Sequence, residues 1–178
     1  VDKRRIEVYI EDYYDKSSQE LAVENGDGNI GICADTWQKW FCQWLDIMQN
    51  DIPPADFYEI GLRLTDDREI QTLNSMYRHQ DKPTDVLAFA ALEVDSPQLT
   101  IPDDSEPLYL GDIIVSLDTA SVQATQQGHA LKTELAWLAS HGFLHLIGWD
   151  HPDEESLRRM LKKQVILLKT LSIDIDIK

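Results

Sequence analysis

The sequence predicts an α+β fold: one domain spanning 1–178, with a mixed sheet of about four strands packed against about five helices. Three observations carry this expectation. Four short runs have strand character, five longer segments place apolar residues at helical spacing, and they follow in the order β-α-β-α-β-β-α-α-α. The length of 178 residues, with 43% hydrophobic and 27% charged residues, suits one soluble domain with its own core.

Ile6 to Ile10 alternates apolar and polar residues and reads as the first strand. Residues 15–31 are polar and acidic, with a loop signal at Asn25-Gly-Asp-Gly-Asn29, and read as a surface insertion. Asp35 is placed to cap a helix running to about Asn50. Its stripe of Trp37, Trp40, Phe41, Trp44, Leu45 and Met48 reads as core packing. Phe57 to Leu64 alternates as a second strand. Thr65 then caps a helix from Asp66 to about Tyr77, with Ile70, Leu73 and Met76 on its apolar face. Val86 to Leu92 is apolar on both faces, which predicts a central strand. An acidic, proline-bearing loop at 93–107 precedes a fourth strand, Tyr109 to Val115. Ser116 or Asp118 starts a helix that Gly128 ends. A longer helix over 131–147 turns Leu135, Leu138, Phe143 and Leu146 inward. Pro152 suits the first turn of the last helix, expected over 153–171, and the tail from Ser172 alternates like a strand.

Sixteen basic against 32 acidic residues leave a net charge of −16. Taken alone, that argues against a nucleic-acid partner, because phosphate binding leaves a basic footprint. The bases are clustered, however, and a local cleft can differ in sign from the whole surface. No apolar run is long enough to span a membrane. The charged start, Val1-Asp-Lys-Arg-Arg-Ile-Glu, lacks the apolar centre of a signal peptide. A cytoplasmic location follows as the expectation, with Cys33 and Cys42 as buried, reduced thiols.

The densest chemistry lies in His141-Gly-Phe-Leu-His145-Leu-Ile-Gly-Trp-Asp-His151. His141 and His145 are four residues apart and share one face of a helix. Gly148 stops that helix, and the turn carries His151 back towards the pair. Three converging imidazoles suit one Zn2+ per chain with an open fourth position. The spacing H-x3-H-x5-H is used by a large class of zinc peptidases, which add a glutamate after the first histidine. Here that position is Gly142. Such a centre lowers the pKa of its bound water to about 7, giving a nucleophile without a side-chain base. Were the substrate a phosphate ester, attack would build charge on its oxygens. Arg78 is the candidate to meet that charge with its planar fork, with Lys82 four residues on. Asp85, Asp112 and Asp150 are candidates to orient a histidine or to serve as cap or turn residues. His79 and His129 show no partner pattern and read as surface residues.

Three blocks in order resemble one family. They are Leu73-Asn-Ser-Met-Tyr77-Arg78 with Lys82-Pro-Thr-Asp85-Val-Leu-Ala-Phe89, then Leu110-Gly-Asp-Ile-Ile-Val-Ser116, then the histidine stretch. Together they resemble the bacterial YbeY family, the metal-dependent endoribonucleases also called rRNA maturation factors. The resemblance runs from about Ile6 to Leu168. It implies an α+β fold and a zinc ion held at His141, His145 and His151. It further implies cleavage of single-stranded RNA, 16S rRNA 3′-end processing with the ribosome or its small subunit as partner, and ribosome quality control. It marks Arg78 as essential. This chain departs from the pattern in its acidity, in its acidic stretches at 15–31 and 93–107, and at Ala88 and Trp149. Two other readings stay open: a peptidase-like zinc hydrolase, and a ribosome-assembly protein whose zinc is structural.

Overall fold

The computed structural model describes residues 5–13, 32–93 and 106–177. The acidic stretch at 15–31, and that at 93–107 except its ends, fall outside them. The elements are β1 (Arg5–Asp12), α1 (Ala34–Ile47), β2 (Phe57–Thr65), α2 (Asp67–Arg78), β3 (Val86–Ala90), β4 (Leu108–Ser116), α3 (Leu117–Gln127), α4 (Leu131–Leu146) and α5 (Glu154–Lys169), with short 3₁₀ turns at Gln49–Asp51 and Ala91–Glu93. The four strands form one mixed sheet in the order β1-β2-β4-β3. β1 and β4 run parallel to β2, and β3 pairs antiparallel with β4. The expected α+β class, element order and mixed sheet are all present.

Side-chain alternation divides the sheet into two faces. Ile6 on β1, Tyr58, Ile60, Leu62 and Leu64 on β2, and Leu110, Ile113 and Val115 on β4 point into the main core. There they meet the aromatic stripe of α1, of which Trp37, Phe41 and Trp44 are buried to 1% exposure or less. Each such side chain contributes about 2–3 kcal/mol through the water it no longer faces. The Trp44 indole N–H also donates to Leu167 O at 3.1 Å, tying α1 to α5. On the opposite face, Ile70 of α2 covers Leu87 and Ile114, with Leu73 and Phe89 packed alongside. Met76, expected on that apolar face, is exposed at the far end of the helix.

Several local expectations change. Asp66, not Thr65, caps α2, accepting from the Glu69 backbone N–H at 2.9 Å. Asp153 caps α5 in a reciprocal box with Ser156, so Pro152 precedes the cap and the helix begins at Glu154. Ser116 is the cap of α3. Cys33 is exposed and Cys42 half-buried, so neither is the buried thiol expected. The tail forms no strand; Ile173 and Ile175 pack against the core instead. No helix among the described residues is long and apolar enough to cross a membrane.

The most consequential difference is β3. Its two apolar faces predicted a central strand, yet it is an edge. One face lies under α4 and the other under α2, so both are covered although, among the described residues, one side of its backbone has no neighbouring strand. That leaves β2 and β4 as the two inner strands, and β4 is in contact with the long helix. Gly111 of β4 has φ +131°, and an added Cβ would lie 2.1 Å from Phe89 O and 2.9 Å from Leu146 Cδ2. Gly111→Ala is therefore expected to lower stability by roughly 2–3 kcal/mol. Chemical denaturation would show this as an earlier midpoint at unchanged slope.

Candidate metal centre and RNA cleft

α4 is buried on nearly every side, as expected for a helix whose sequence is apolar all round. Its histidines come from the last two turns. The helix then ends in a left-handed turn at Gly148, φ +99°. The Trp149 N–H reaches back to Leu144 O at 3.0 Å and the Gly148 N–H to His145 O at 3.1 Å. This paired closure satisfies two of the helix's terminal carbonyls and reverses the chain. His151 follows, its backbone N–H held by Asp150 Oδ1 at 2.8 Å.

The three imidazoles converge. One ligand atom from each of His141, His145 and His151 lies within 4.8 Å of the others. Nε2 of His141 and Nε2 of His145 are 3.0 Å apart. Tetrahedral zinc with bonds of about 2.0–2.1 Å would separate its nitrogen ligands by roughly 3.3 Å. The donor set thus fits a metal ion, and the protonation of the rings agrees. Burial, together with His141 and His151 beside it, pushes the His145 imidazole down to about 4. Burial likewise lowers His141. Both rings are neutral at physiological pH, the form that binds metal.

A residue that the sequence reading passed over orients His141. Gln164 of α5 is fully buried. Its amide N–H donates to Trp137 O at 3.2 Å, and its Oε1 faces His141 Nδ1 at 3.0 Å. The signal was present in the sequence only as a polar residue at a core position of an amphipathic helix.

The histidines open into a cavity of about 440 Å³. Arg78, Ala88 and Ala90 form one wall of it, and Trp149 and Asp150 belong to its lining. Arg78 is at the end of α2, and its Nη2 donates to Ala88 O on the exposed edge of β3 at 2.8 Å. Its guanidinium carbon sits 5.6 Å from the Phe89 ring centroid. Among the described residues no carboxylate pairs with it. Arg63, in contrast, is paired with Glu11 and Glu69 and lines a separate cavity with Tyr109 and Asp112. Lys82 is exposed and does not line the histidine cavity. Arg159 lines a smaller neighbouring cavity that shares Trp149 and Asp150, and Lys163 Nζ lies 5.7 Å from the Trp149 ring centroid.

The three aspartate candidates separate. Asp85 lines the histidine cavity, but its oxygens accept from the Val86 N–H, the Thr84 hydroxyl and the Gln123 amide. Asp112 lines the cavity that holds Arg63, where it cannot orient a histidine. Asp150 lines the histidine cavity and acts on the His151 backbone. His129, expected as an unpartnered surface residue, bonds to the buried Glu134 carboxylate. His79 is exposed and ends α2 in the left-handed conformation.

Comparison with known proteins matches this arrangement to one family. The model for "Endoribonuclease YbeY" matches residues 22–172. The chain belongs to the YbeY family. A YbeY endoribonuclease of Nostoc sp. is 56% identical over 97% of this chain and 94% of its own length. One from Trichormus variabilis is also 56% identical, over 97% and 98%. One from Trichodesmium erythraeum is 54% identical over 93% of each. A solution structure of a Thermotoga maritima protein shares the fold, with a TM-score of 0.52 over 93% of this chain and 92% of that one, at 22% identity. Family membership agrees with the resemblance drawn from the three sequence blocks.

At Gly142, where the zinc peptidases carry glutamate, a Cβ would lie 2.8 Å from Ile113 Cγ2, where α4 of this YbeY chain rests on β4. The metal assignment predicts that His145→Ala loses most bound metal. Elemental analysis of the folded variant beside wild type checks it, and wild-type stoichiometry in the variant would remove His145 from the ligand set.

Proposed function

We propose that this protein is a zinc-dependent endoribonuclease that cuts single-stranded RNA. It acts on rRNA, at the small ribosomal subunit, in 16S 3′-end maturation and ribosome quality control in the cytoplasm. The observation that carries the reading is the common cavity of Arg78 and the three histidines. Membership of a family whose curated relatives are named endoribonucleases supports the reaction class.

The division of labour follows from the side chains. His141, His145 and His151 are the neutral donors that would hold the ion. Bound zinc would supply a Lewis acid and an activated water at neutral pH. Arg78 offers the planar fork that a phosphate needs as charge builds on its oxygens. Its bond to Ala88 O and its place over Phe89 hold the guanidinium at the cavity wall before substrate arrives. With no competing carboxylate among the described residues, that positive charge is available to an anion despite the chain's net charge of −16. Trp149 presents an aromatic wall to the same cavity, suited to an unstacked base. The peptidase reading loses support at Gly142, since a glutamate there would press on Ile113.

Cleavage of single-stranded rRNA, measured with and without a chelator, tests the reading. Loss on chelation and recovery with zinc is the expected result. Unchanged cleavage would favour an assembly protein with a structural ion.

Arg78→Ala is expected to fold, keep its metal and lose roughly 10²–10³-fold in RNA cleavage rate. Arg78→Lys keeps the charge without the fork and should fall between. Wild-type cleavage by Arg78→Ala would move the phosphate contact to another cation such as Arg159, which lines the neighbouring cavity.

The acidic stretches at 15–31 and 93–107 are expected to be dispensable for cleavage, because carboxylates that met the RNA would repel its phosphates. Shortening either should leave cleavage largely intact in a folded protein. Abolished cleavage would count against this expectation.

A further inference from the structure

We infer that Gln164 is a positioning residue that fixes the tautomer of His141 and so presets its metal-facing nitrogen. The inference rests on the metal-centre reading above and extends it to a residue outside the ligand set.

The argument is one of donors and acceptors. A glutamine amide has one end that only donates and one that only accepts. The Trp137 carbonyl can only accept, so the end facing it at 3.2 Å is the N–H end. The other end, Oε1, therefore faces His141 Nδ1 at 3.0 Å and must receive a proton from it. Nδ1 of His141 carries the hydrogen, and Nε2 carries the lone pair. That Nε2 is the atom 3.0 Å from His145 Nε2, at the centre of the triad.

The bond also acts on orientation. Gln164 is fully buried and belongs to α5, whereas His141 belongs to α4. Trp137 is one turn before His141 on α4. The amide therefore bridges the ring to its own helix through a second helix and limits rotation of the imidazole. A histidine with its second nitrogen so held is a better-oriented ligand, and such outer partners are commonly worth 10–100-fold in metal affinity. The acceptor here is neutral, which distinguishes the site from one in which a carboxylate takes that place.

Two measurements test the role. Long-range proton–nitrogen correlation spectra of the metal-free wild-type protein should show His141 protonated on Nδ1. A His141 protonated on Nε2 would overturn the inference without any variant. Zinc affinity by competition with a chromophoric chelator should fall roughly 10–100-fold in Gln164→Met, which keeps the side chain's length and removes its acceptor. Gln164→Glu retains an acceptor and should bind zinc within a few-fold of wild type. Wild-type affinity in a folded Gln164→Met overturns the inference. Should that variant fail to fold, a loss beyond tenfold in folded Gln164→Glu does so. A wild-type protein that binds no zinc would remove the metal reading itself, whereas normal wild-type binding with unaffected variants would remove only the role of Gln164.

Discussion

The contact between α4 and the centre of the sheet is the constraint on which the rest of the molecule depends. One helix must lie in the core and also carry two histidines to an open cavity. Leu135, Leu138, Phe143 and Leu146 bury one side of it, while His141 and His145 remain only partly covered. Close approach to β4 is possible because position 142 has no side chain between the helix and Ile113. The approach sets how far the imidazoles stand above β3, whose Ala88 and Ala90 contribute small side chains to the same cavity.

Electrostatics then work on this geometry. Burial disfavours charge on His141 and His145, and the crowding of three rings adds to it. A cluster of neutral nitrogens with convergent lone pairs is unfavourable alone and favourable around a cation. In the same cavity, Arg78 has no carboxylate partner among the described residues. The same chain therefore presents a three-histidine cluster and an arginine in one cavity, although acids outnumber bases two to one overall.

Local signals in the sequence made much of this legible. The histidine spacing and Gly148 define a helix end and a return, and the structure has both. The aromatic stripe of α1 is core because its period matches one helix face. What escaped the sequence depends on contacts between distant segments. β3 has a central strand's composition because two helices cover it, and composition does not distinguish a covering helix from a neighbouring strand. Asp85 and Asp112 look equivalent at strand boundaries, yet they line different cavities. Gln164 meets His141 across 23 residues of chain, a pairing that no local pattern encodes.

The position of β3 has a consequence beyond chemistry. An edge strand offers backbone groups to any extended chain that comes alongside, and self-association through such edges is a standing hazard for sheets. Here the Ala88 carbonyl on that edge is occupied by Arg78. One guanidinium thus caps a sticky border of the sheet, and its bulk and charge stand where a second molecule would have to add a strand. Removing that guanidinium would bare the carbonyl and open the border to edge-to-edge association.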